Sequence, residues 1–103
     1  MKIIKGVYTN FCVNVAEGAM TGTQKIIMTF KKRYGGRVLF TREITTEGTS
    51  YFQITPEEAS LVRNHAVYDF DKILEDGRRF QMHCVGRIFV QQGVGRCDDN
   101  DTK

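Results

Sequence analysis

The chain is poor in the residues that most often announce chemistry: of its 103 positions two are histidine, three cysteine and one proline. The cysteines, Cys12, Cys84 and Cys97, have neither C-x-x-C spacing nor an even count, which excludes a disulfide framework or a zinc knuckle as the organising principle. Reduced thiols are the simplest state. Cys12 and Cys84 fall in β-like stretches and read as small core or near-core residues, whereas Cys97 sits in a polar tail. No run approaches the roughly 20 consecutive apolar residues of a membrane span, and MKIIKG at the N-terminus lacks the apolar core of a secretion signal. The expectation is a protein made and kept in the cytosol, without a membrane partner.

With 41% apolar and 26% charged residues, the composition is that of an ordinary globular protein. A chain of this size can bury enough core to fold as one domain without metal or disulfide. The net charge of +3 is unevenly spread. The last seven residues, CDDNDTK, carry three aspartates against one lysine, leaving +5 for the rest. That surplus favours anionic partners but falls short of the dense Lys/Arg stripe of a dedicated nucleic-acid binder. We read residues 1–96 as one folded unit and 97–103 as a flexible acidic tail.

Periodicity argues for strands almost throughout. Phe11, Val13 and Val15 alternate with Cys12 and Asn14, so one strand is expected over about Ile3 to Val15, followed by a loop at AEGAMTGTQ. Gln24–Phe30 and Arg37–Ile44 flank KKRYGGR, whose Gly35-Gly36 pair suits a hairpin turn. Ile26, Met28 and Phe30 then share a face, with Val38, Phe40 and Ile44 as the apolar positions of the partner strand. Phe52 and Ile54 form a short strand before a capping box, in which Thr55 caps, Pro56 takes the first helical position and Glu58 answers Thr55. Leu61 and Val62 give that turn an apolar side. Beyond it Ala66, Tyr68 and Phe70 alternate with Val67, Asp69 and Asp71, Asp76-Gly77 supplies a turn, and Phe80, Met82 and Cys84 resume a period of two. Seven strand-like segments with one helical turn predict an all-β, immunoglobulin-like antiparallel sandwich; a small barrel is the alternative fold.

Tests for catalysis return little. His65 falls in a loop and His83 in a strand, and the neighbours His83 and Cys84 project to opposite faces, which defeats a nucleophile–base contact. Asp69 and Asp71 share a strand face about 7 Å apart, a spacing that could serve paired carboxylates, yet their alternation with Ala66, Tyr68 and Phe70 marks that face as a wet sheet surface. YGGR and GVGR lack the strand-to-helix setting of a phosphate loop. Asn100-Asp101-Thr102 matches a glycosylation acceptor only formally. No catalytic residue, metal ligand or cofactor is assigned. The one patch kept as a binding site is the basic hairpin, Lys31, Lys32, Arg33 and Arg37 around the glycine turn with Tyr34 at its tip, able to touch phosphate, an acidic glycan or an acidic protein surface. A solvated loop that protects a hairpin edge is the competing explanation.

The order of these parts resembles the small immunoglobulin-like domains of bacteriophage tails and baseplates, including the N-terminal domain type of baseplate upper proteins and similar prophage proteins. The resemblance is carried by IIKG at Ile3–Gly6, by MTGTQKIIMTFKKRYGGRVLFTREI, by ITPEEASLV, and by HAVYDFDKILEDGRRFQMHCVGRIFVQQGVGR with Tyr68-Asp69-Phe70, Asp76-Gly77 and Gly86. The chain departs where the family's helix is often followed by glycine: here stand Arg63-Asn64-His65-Ala66. The resemblance implies a non-enzymatic structural or assembly protein of a virion, made in the bacterial cytoplasm and joined through sheet edges and loops to tail proteins or to copies of itself. The alternative is a binding module whose basic hairpin holds a polyanion or cell-surface glycan.

Overall fold

The computed structural model describes residues 1–91, with the side chains of residues 83–85 and 91 outside the description. The acidic tail, Cys97, the GVGR stretch and the faces assigned to His83 and Cys84 therefore lie outside the described residues. In chain order the elements are β1 (Lys2–Ile4), β2 (Thr9–Val15), β3 (Thr23–Lys31), β4 (Val38–Ile44), β5 (Gly48–Ile54), α1 (Pro56–Ala59), β6 (Val67–Leu74), β7 (Arg79–Arg87) and β8 (Phe89–Gln91). The protein is mostly β, with antiparallel sheets and one short helix.

Four strands form one antiparallel sheet in the order β4-β3-β6-β7, and β2 pairs with β5 in a second. In the larger sheet β3 and β6 are the interior strands and β4 and β7 the outer ones among the described residues. One pairing departs from the antiparallel expectation: β1 lies parallel to β8. The single strand expected over Ile3–Val15 is in fact two, because the chain turns at Lys5-Gly6 and β1 and β2 then serve different partners.

The apolar faces of the sheets meet. Phe11 of β2 stacks on Phe52 of β5 at 5.4 Å and meets the Phe30 ring of β3 edge-on at 5.9 Å, and Phe30 in turn stacks on Phe40 of β4 at 4.5 Å. Ile3, Met28, Ile54, Ala59, Val62, Ala66 and Ile88 complete this core, and Val15, Ile26 and Ile44 form a smaller one beside it. Cys12, expected near the core, is exposed, because the alternation that buries Val15 and half-buries Phe11 and Val13 turns it outward opposite Tyr51.

Three apolar positions differ from expectation for local geometric reasons. Val38 is half exposed, since the β3–β4 register shifts between Phe30 and Lys31 and the strand skips Leu39, which packs on the core instead. Leu61 faces solvent while Val62 beside it is fully buried. Phe80 is exposed opposite Lys72 although it keeps the period of two with Met82, because it stands one residue into β7, close to the Asp76-Gly77 turn, where side chains on both faces are open to solvent.

The capping box forms as the sequence implies: Glu58 N–H donates to Thr55 Oγ1 at 3.1 Å, and Thr55 N–H donates to Glu58 Oε1 at 3.1 Å. A third partner was not foreseen. Arg42 of edge strand β4 reaches across to the other sheet, donating to the Gln53 carbonyl at 2.9 Å and to the Glu58 carboxylate. The Arg42 guanidinium holds the Glu58 carboxyl below the usual carboxylate range, against the opposing effect of its partial burial.

Behind Phe30 lies a tight approach. The Tyr68 ring, 6.2 Å from that of Phe30, covers Gly86 so closely that a Cβ there would fall 2.0 Å from Tyr68 Cζ. Gly86→Ala is expected to destabilise the fold by about 1–3 kcal/mol in urea unfolding, through forced displacement of the ring, and to cost much less in a Tyr68→Ala background. Equal costs in both backgrounds would remove the ring as the cause. Because the folded-state pKa of Glu58 is depressed, its contribution is present above its unfolded pKa and is lost as pH falls through the folded value. Glu58→Gln should therefore lower stability by about 1 kcal/mol at neutral pH, and the difference from wild type should shrink as acid unfolding is followed below the ordinary carboxylate range.

Candidate functional site

The basic hairpin closes with Lys32 N–H donating to the Arg37 carbonyl at 2.9 Å and Gly36 N–H to the Arg33 carbonyl at 2.8 Å. Arg33–Gly36 is a β-turn with Gly35 at its third position and φ of 71°, a conformation that glycine adopts without strain. This pushes Tyr34 out at the tip, 73% exposed.

A second turn lies against it. Ala66 N–H donates to the Arg63 carbonyl at 3.2 Å, and the third position of this turn is His65, with φ of 80°. It is the one non-glycine residue with positive φ among those described. Ile88 N–H donates to the Ala66 carbonyl at 3.0 Å, which ties the junction of β7 and β8 to the same place.

Together the hairpin, the turn and the junction enclose an open cleft of about 860 Å³ lined by Arg33 and Tyr34, Asn64 and His65, and Arg87 and Phe89, over a floor of Ala66, Val67 and Ile88. The arginines of its lining are Arg33 and Arg87; no Asp or Glu lines it among the described residues. Neither Arg33 nor Arg87 forms an ion pair with a described residue. Phe89 is 62% exposed, so two aromatic rings stand open beside two cations.

Of the five hairpin residues singled out in the sequence, Arg33 and Tyr34 reach this cleft. Lys32 and Arg37 meet at the hairpin neck through their backbones. The Lys31 ammonium turns to the outer face of the sheet and binds Asp69 Oδ2 at 2.9 Å. His65, Arg87 and Phe89 were missed as companions of Arg33, for they come from segments distant in sequence and have no shared spacing.

The pair Asp69 and Asp71 corrects the reading of a wet face. Asp69 is 3% exposed, because β6 is an interior strand: Thr29 of β3 stands opposite it, and Lys31 closes over it. Asp71 accepts from Arg79 Nε at 2.6 Å. Each carboxylate is thus held by a cation, across β3–β6 and β6–β7 respectively, an arrangement that fastens the sheet. Beside Asp69, the buried Thr29 Oγ1 has no hydrogen-bond partner among the described residues. Among the described residues no group of three or more His, Cys, Asp or Glu is placed to hold a metal ion. No helix among them is long and apolar enough to cross a membrane.

Comparison with family models, with curated proteins and with solved structures finds no match to this chain.

Removing the Lys31 charge leaves the buried Asp69 unpaired, so Lys31→Met should cost about 2–4 kcal/mol in chemical denaturation, largely recovered in the double variant Lys31→Met/Asp69→Leu. A cost near zero for the single variant would mean that Asp69 is solvated after all.

Proposed function

We propose that this protein is a non-enzymatic assembly domain that works through protein–protein contacts, as a structural component of a phage or prophage virion, in or near the tail or baseplate. The observation that carries the assembly reading is the set of open strand edges. Among the described residues β2 and β5 pair only with each other and no strand covers the outer edge of β4, so three strands of seven residues each offer an edge without a partner strand there. Such edges invite another chain to add a strand. Tyr51, 81% exposed on β5, and Val38, 49% exposed on β4, supply side-chain anchors beside two of them. The virion reading is supported by the resemblance of the ordered motifs to phage immunoglobulin-like domains, and it puts the protein in the virion after synthesis in the bacterial cytoplasm, with tail proteins or its own copies as partners.

A second reading is favoured by the cleft: a small β-domain that holds an anionic ligand, polyanion or acidic glycan, with Arg33 and Tyr34 of the hairpin in contact with it. The two readings separate in solution. Light scattering coupled to size exclusion on the reduced protein should give a closed oligomer that persists at high salt and dissociates when charge is placed on the edges by Tyr51→Glu and Val38→Glu. A monomer at both low and high salt that is also absent from purified particles would overturn assembly and leave the cleft as the functional surface.

A further inference from the structure

The cleft between the hairpin and the β7–β8 junction combines two kinds of group that a bare polyanion patch does not need together. Arg33 and Arg87 supply planar guanidiniums free of carboxylate partners among the described residues, and a guanidinium fork matches the oxygens of a phosphate. Tyr34 and Phe89 supply flat apolar rings, 73% and 62% exposed, within the same lining. A ring beside a cation in an open groove is a platform for stacking a planar base whose phosphate the cation holds. Asn64 and His65 add side-chain hydrogen-bonding groups between the two walls. His65 is kept there at a φ of 80° that costs a side-chain-bearing residue strain, and such outliers gather at ligand sites. The net positive charge, too sparse over the whole chain for a dedicated nucleic-acid protein, meets no carboxylate among the described residues of this lining.

We infer that this cleft binds a nucleotide unit, with the phosphate between Arg33 and Arg87 and the base stacked on Tyr34 or Phe89. The unit could belong to a free mononucleotide or to a single-stranded oligonucleotide, since both present the same phosphate and base. This goes beyond the assembly reading and stands on separate residues, so the failure of either leaves the other intact.

The test is fluorescence anisotropy of the full chain with a labelled oligothymidylate of about ten nucleotides, at about 50 mM and about 200 mM salt. Binding is expected at the lower salt and should weaken at the higher. Arg33→Glu or Arg87→Glu should abolish it, and Tyr34→Ala or Phe89→Ala should weaken it roughly five- to hundredfold, the range of a lost stacking contact. Arg78→Glu makes the same charge change at the far end of β6, in the turn to β7, and should leave binding unchanged. Circular dichroism checks that each variant is folded. Competition by thymidine monophosphate assigns the site to free nucleotides; binding of the oligonucleotide without such competition assigns it to strands, and either outcome supports the inference. It is overturned if the oligonucleotide does not bind at the lower salt. It is also overturned if both ring variants bind like wild type, if Arg78→Glu weakens binding as much as Arg33→Glu, or if polyglutamate competes as well as the oligonucleotide.

Discussion

Phe30 is the side chain on which the two layers agree. It is fully buried on β3, the strand that pairs with both β4 and β6, and its ring touches Phe11 from the opposite sheet, Phe40 on one flank and Tyr68 on the other. A single aromatic shared among four strands fixes the distance between the sheets and the register on either side of β3 together, since a one-residue slip would turn it to the outer face. The constraint extends outward through Tyr68, which leaves no room for a side chain at Gly86 and so brings β7 close against β6.

At β4 a polar clasp joins the aromatic one. Arg42 bridges from β4 to the Gln53 carbonyl of β5 and to Glu58, the residue that also completes the Thr55 capping box. A four-residue helix has little stability of its own. Here its first turn is held because one carboxylate serves the cap and the inter-sheet contact together. The outer face of the large sheet is likewise fastened by charge, Lys31 to Asp69 and Arg79 to Asp71.

These anchors free the end of the molecule that carries the cleft. The hairpin tip and the Arg63–Ala66 turn are closed by their own backbone hydrogen bonds, and the turn is joined to Ile88, so Arg33, Tyr34, His65, Arg87 and Phe89 are held near one another without being needed for the core.

Local chemistry was readable in the sequence wherever a few neighbouring residues decide the outcome. The capping box at Thr55-Pro56-Glu57-Glu58, the glycine turn of the basic hairpin, the Asp76-Gly77 turn and the inward face of Ile26, Met28 and Phe30 all follow from spacing and backbone preference. The all-β class followed from their sum. What only the tertiary structure decided depends on which strand lies beside which. Asp69 alternates like a surface residue and is buried because β6 is interior, Val38 alternates like a core residue and is exposed because a register shift displaces the pattern, Phe80 keeps the core rhythm and is exposed beside the turn that opens β7, and Lys31 belongs to a sheet-face ion pair rather than to the hairpin patch. The cleft was invisible for the same reason. Sequence by itself sets turns, caps and the in–out rhythm of each strand, because these are short-range; the surroundings of a side chain are set by strand order and register, which join residues tens of positions apart.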